Sequence, residues 1–198
     1  MSWQAVRVFA ALAVAGSLAF GAPACGDDDP DTRATPAPAE GPREVVGGFT
    51  ALRVSPALEG ALDLAGIEIG PAGEATRTDG ALRLPIDGGE VDIGARTGTL
   101  QHQGGLRFRV PGADIEATDV VLDTRNGAMT AQVGGNRISL LRVDLGQPRD
   151  RRTEGVYAWT GPARLGEDAA AMINDRVGLD VARVGLPLGD VTVNAEHR

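Results

Sequence analysis

Lysine is absent from this 198-residue chain; all 19 basic side chains are arginine, set against 27 acids for a formal charge of −8. So acidic a chain lacks the electrostatic footprint that a phosphate backbone demands, which argues against nucleic acid as a partner. Cysteine occurs once, at Cys25, so no intramolecular disulfide can form. Past residue 24 the only aromatic rings besides histidine are Phe49, Phe108, Tyr157 and Trp159. The core must therefore be aliphatic, and a sugar-stacking platform or an aromatic cage is hard to build from so few rings. Serine is nearly as scarce. Ser55 and Ser139 are the only two beyond the N-terminal region, one placed to cap a helix and one in mid-strand. No nucleophile elbow, phosphate loop, Cys/His pair or dinucleotide fingerprint is present. Asp114, Glu116, Asp119, Asp123 and Asp144 fall on polar faces or ends of strands, with no pair singled out for acid–base work. The expectation is a protein that is not an enzyme.

What is present begins at the N-terminus. Arg7 precedes an apolar run from Val8 to Phe20, then Ala22-Pro23-Ala24-Cys25 and Gly26-Asp27-Asp28-Asp29. A positive start, a short apolar stretch and small residues make a secretory signal. The run is too short to span a bilayer, which takes about 20 apolar residues. The segment before Cys25 resembles the small-residue box that precedes the lipid-modified cysteine of bacterial lipoproteins. Acylation of Cys25 would explain an unpaired thiol in an exported chain and would anchor it to the membrane; ordinary signal cleavage nearby is the alternative. Three parts follow: a signal peptide over 1–24, an acidic Pro-Ala tether over 25–44, and an exported β-rich domain over 45–198. The tether carries no sizeable apolar side chain to bury.

Within the domain the dominant signal is period-two alternation between Gly-rich turns. Leu106-Arg107-Phe108-Arg109-Val110 sends three apolar side chains to one face and two arginines to the other. Met129–Val133, Gly134-Gly135-Asn136 and Arg137–Val143 read as a hairpin, and Arg125-Asn126-Gly127 as another turn. Thr99–His102 and Leu106–Val110, separated by Gly104-Gly105, are expected to form a third hairpin, so that 98–145 is a meander. Two segments have helical spacing. Pro56–Ala65 follows Ser55 as candidate N-cap, and Glu167–Val177 ends at Gly178. Each helix is followed by an aliphatic pair and later by Leu84-Pro85-Ile86 or Leu186-Pro187-Leu188, a weak internal repeat whose copies would pack together and bring the domain's ends close. The predicted fold is mainly β: an antiparallel β-sandwich or flattened barrel with two short helices.

His102 is the one histidine inside the domain, His197 lying at the tail. It is either a metal or haem ligand or a surface residue on an edge strand; a lone histidine does not make a metal site. Tyr157 and Trp159 project from one face of a strand, as a ligand-contacting pair with the phenol available to iron or as a packing pair.

The stretch Gly98-Thr-Leu-Gln-His102 through Leu106-Arg-Phe108, Val120–Thr124, Asn126–Ala131 and Leu140–Leu145 resembles the HtaA-type domain of actinobacterial surface proteins. The resemblance covers about 50 residues, in the pattern of short strands and glycine turns. It implies an exported β-domain. It also implies haem as a ligand, held by a tyrosine with histidine support, His102 standing at the family's histidine position. The family's tyrosine lies near the domain start, where this chain reads Glu44-Val-Val-Gly-Gly-Phe49-Thr-Ala-Leu52 without one, so Tyr157 would have to serve. The expected role is a lipid-anchored, non-catalytic binding or structural module on the extracytoplasmic face of the cell membrane. Its partner would be an envelope protein, a wall polymer or a small apolar ligand, with no cofactor, and with haem capture or relay as the alternative.

Overall fold

A computed structural model describes residues 41–198 except 93, 147, 148, 152–154 and 179; of 149–151 it describes the backbone alone. The signal peptide, Cys25 and most of the tether lie outside the described residues. In chain order the elements are β1 (Arg43–Val54), α1 (Pro56–Leu64), β2 (Glu68–Ala72), β3 (Thr76–Thr78), β4 (Ala81–Asp92), β5 (Thr97–His102), β6 (Gly105–Val110), β7 (Ala113–Asp123), β8 (Ala128–Val133), β9 (Asn136–Val143), β10 (Arg149–Arg151), β11 (Val156–Leu165), α2 (Glu167–Val177) and β12 (Pro187–His197).

Every pairing among the described strands is antiparallel. Their order runs β7-β5-β4-β1-β12-β11-β9-β8, and β8 pairs back onto β7. That last ladder closes the sheet into an eight-stranded barrel, so of the two expected architectures the barrel is the one formed. A barrel of this size has an interior just wide enough for side chains to fill. Here it is filled mainly by aliphatic ones, among them Leu52, Leu82, Leu84, Leu100, Leu122, Leu141 and Val193. Outside the barrel β6 pairs with β7 and β2 with β6, while β3 and β10 add short pairings to β4 and β11.

The expected hairpin between Thr99–His102 and Leu106–Val110 does not form. Both β5 and β6 pair with β7, one after the other: Thr99, Leu100 and Gln101 oppose Asp123, Leu122 and Val121, and Leu106–Val110 oppose Ala117–Ala113. Gly104-Gly105 is therefore a corner in one long arm, not a reversal. The glycines answer to close approach. A Cβ on Gly105 would collide with the carbonyl oxygen of Ala117, and Gly104, at φ +74°, lies against the backbone of residues 72–75. The reversal comes one strand later, at Pro111-Gly112. The partner arm bends as well. Asp119 has φ 47°, and the buried positions of β7 switch from Ile115 and Ala117 to Val120 and Leu122. A β-bulge inserts one residue and turns the strand, which lets β7 serve the outer sheet with one half and the barrel with the other.

The two helices form where expected. Ser55 Oγ accepts from the Leu58 backbone N–H at 3.4 Å, Pro56 occupies the first turn, and Glu59 suits its positive dipole end. Helix α2 begins with Glu167 and Asp168 and stops at Gly178 in the left-handed region, a common helix terminator. The repeat reading is realised in part. In each copy the strand before the helix pairs with the later strand bearing Leu-Pro, β1 with β4 and β11 with β12, and β1 joins the copies by pairing with β12. The domain's ends do meet, the Arg198 N–H donating to the Glu44 carbonyl at 3.1 Å. The copies diverge after the helix: Glu68-Ile69 opens β2, whereas Asp180–Arg183 is not a strand.

Candidate functional site

Both helices lie in connections that leave the same end of the barrel, after β1 and after β11, where Val54 and Ala163 face Gly189 on either side of β12. Between them is a cavity of about 250 Å³. Helix α1 contributes Leu58, Ala61 and Leu62, and the turn after it Ala65 and Ile67; Ile69 and Phe108 come from β2 and β6; Leu165, Ile173, Ala182 and Leu188 complete much of the far wall. Every described side chain lining it is apolar. Ligand pockets are typically apolar concavities of about 300–1,000 Å³, so this one sits at the small end.

Its two walls differ. Helix α2 buries Ala169, Ala170 and Ile173, and Asp168 Oδ2 accepts from the Ser139 N–H at 2.7 Å, fixing the helix start on β9. Asn174 then organises the next wall. Its Oδ1 accepts from the N–H groups of Val181 and Ala182 at 2.9 and 2.7 Å, and its Nδ2 donates to the Ala182 carbonyl at 2.7 Å. The sequence reading passed over Asn174. Its signal was an asparagine inside a helix, where the residue is disfavoured unless its amide bonds the backbone elsewhere. Helix α1, in contrast, has no buried residue. Its described attachments include the Ser55 N–H to the Leu188 carbonyl at 2.8 Å and an exposed Arg77–Glu59 ion pair at 3.8 Å. A second cavity of about 220 Å³, lined by Glu59, Asp63, Glu68 and Arg77 as well as apolar side chains, shares Leu62, Ile67 and Ile69 with the first. The segments at the cavity also carry three exposed large apolar side chains, Leu64, Val181 and Val184.

His102 is elsewhere, and it is not a surface residue on an edge strand. It is 5 % exposed, on a strand enclosed by β4 and β7. The Val120 carbonyl can only accept, so Nδ1 carries the proton and donates to it at 3.1 Å; Nε2 then accepts from the Thr50 hydroxyl at 2.7 Å. Burial lowers its pKa to about 4, against opposing contributions from the Val120 hydrogen bond and the Asp87 carboxylate. His102 is thus a neutral core histidine with both nitrogens engaged.

Tyr157 and Trp159 share the inner face of β11, 2 % and 5 % exposed. Their rings meet edge-on at 6.2 Å, and Tyr157 stacks on His197 at 4.1 Å. The structure therefore joins Tyr157 to Trp159 and His197, and His102 to Thr50. The strands carrying His102 and Tyr157 stand on opposite sides of the barrel, and neither residue lines the cavity.

No protein-family model matches the sequence, and no curated protein matches it. Solved structures do. The C-terminal domain of HtaA from Corynebacterium glutamicum matches with TM-score 0.62 at 14% identity, over 79% of this chain and 99% of that one. The N-terminal domain of the same protein matches at 0.55 and 13%, over 77% and 97%. The haem binding protein HtaB of that organism matches at 0.51 and 15%, over 79% and 96%. At these identities the likeness is one of fold. It extends the resemblance seen in the central stretch to about four-fifths of the chain.

Proposed function

We propose that this chain is a non-catalytic binding module of the cell envelope, tethered through a lipidated Cys25. Its ligand is haem or a comparable apolar small molecule, taken into the cavity between α1 and α2. The observation that carries the reading is an all-apolar cavity bounded by a loosely seated helix, on a fold shared with a protein described as haem binding. The fold likeness favours haem over a wall polymer or an envelope protein as the ligand. Scarce aromatic residues also weigh against a wall polysaccharide.

Haem iron is held by histidine, cysteine, methionine or tyrosine. Among the described residues these are His102, His197, Tyr157, Met129 and Met172, and none lines the cavity. The residues at the cavity fit the apolar body of such a ligand and do not fit its metal. A larger ligand needs α1 to yield, which would open the cavity toward its neighbour across Leu62, Ile67 and Ile69. A saturable Soret change on haem titration, weakened in Leu62→Glu, supports this function; no saturable change from any haem-class ligand overturns it. For the anchor, Cys25→Ala is expected to shift the protein from the membrane fraction to the soluble fraction, and unchanged membrane partition would refute lipid attachment at Cys25.

A further inference from the structure

We infer that the module holds a tetrapyrrole by its organic ring and forms no bond to a central metal. The inference rests on the binding function proposed above and specifies its ligand chemistry.

Among the described residues, none of the usual axial donors lines the cavity; His197, whose buried ring nitrogens make no hydrogen bond there, stacks on Tyr157 instead. His102 gives one nitrogen to Val120 and the other to Thr50, inside the barrel wall. Tyr157 has its ring against His197 and Trp159. Met129 is 2 % exposed in the barrel core, and Met172 packs on that core without lining the cavity. Among the described residues no three His, Cys, Asp or Glu side chains gather into a metal-holding group. The cavity itself offers Phe108 and aliphatic side chains. Such a surface stabilises a ligand in proportion to the apolar area it removes from water, whatever the ligand carries at its centre.

Helix α1 supplies the means of admission. None of its residues is buried, and Leu64 near its C-terminal end is 93 % exposed. The ion pair that helps hold it is exposed, and such pairs contribute only about 0–1 kcal/mol. A ligand that replaces its contacts with Leu58 and Leu62 can displace it at little cost.

The test compares haem with metal-free protoporphyrin IX on the full chain, by absorbance and by fluorescence. Dissociation constants within about threefold of each other are expected. Leu62→Glu should weaken both ligands at least about tenfold, a loss of about 1.4 kcal/mol. Leu58→Glu gives an independent check on the same wall, and circular dichroism verifies that each variant is folded. His102→Gln, His197→Gln and Tyr157→Phe should leave the haem spectrum unchanged. Haem binding more than about tenfold tighter than the metal-free ring, or a Soret band shifted in any donor variant, would show iron ligation and overturn the inference while leaving the binding function intact. Failure of both porphyrins to bind would remove the inference together with haem as the ligand.

Discussion

His102 should make a measurable contribution to the acid destabilisation of this protein. Its imidazole is neutral in the fold with a pKa of about 4, against 6.5 for the free side chain. The unfolded chain therefore binds a proton at this site over the window between those values and the folded chain does not, so stability is complete above pH 6.5 and falls as pH drops toward 4. Integrating over that window gives a loss of about 2 kcal/mol by pH 5 and about 3 kcal/mol by pH 4. Small domains are stable by about 5–15 kcal/mol, so the loss is measurable. The physical origin is specific. The charged imidazolium would be buried in the barrel wall, and that desolvation outweighs the Val120 hydrogen bond and the Asp87 carboxylate, which favour it. Urea unfolding of the wild type and His102→Gln from pH 7.5 to 4 is the assay. The wild-type curve should descend more steeply, and the difference between the two should grow by about 3 kcal/mol across the range. Carboxylate protonation affects both proteins alike and cancels in that difference. Parallel curves would refute the argument, showing that His102 is not held neutral by its surroundings.

Other perturbations follow from particular contacts. Gly105→Ala places a methyl against the Ala117 carbonyl and should cost about 1–3 kcal/mol in urea unfolding; an unchanged midpoint would mean the β5–β6 corner is looser than described. Ser55→Ala removes the α1 cap, worth about 1 kcal/mol to the helix. Because no α1 residue is fully buried, the loss should appear as faster hydrogen exchange over 56–64 with the global midpoint unmoved, and a shifted midpoint would contradict the loose seating of α1. Asn174→Ala strips the bonds that hold Val181 and Ala182. It should weaken ligand binding about tenfold while barrel exchange stays slow, and undiminished affinity would remove residues 180–182 from the site.

Local structure was legible in the sequence because its signals are local. Ser55-Pro56 and Gly178 bound their helices by capping chemistry, and Gly134-Gly135-Asn136 marks a hairpin by its positive-φ residues. Barrel closure was not legible, since the β7–β8 ladder closes a ring only through the seven other pairings around it. Gly104-Gly105 misled because glycine serves both reversal and close approach, and only the partner backbone at Ala117 decides between them. His102 was misplaced for the same reason. A strand end read as an edge is, in the fold, flanked on both sides, and its partners Thr50 and Val120 are 52 and 18 residues away. The cavity was invisible for want of any polar signature: it is assembled from apolar residues of α1, β2, β6, α2 and β12, each indistinguishable from core in isolation.

The most direct test of the central claim is hydrogen exchange of the full chain with and without saturating haem. Slower exchange over α1 and residues 180–186, with the rest of the barrel unchanged, is the predicted result, because those segments wall the cavity. Protection confined to β5 or β11, around His102 and Tyr157, would place the ligand in the barrel and contradict the account.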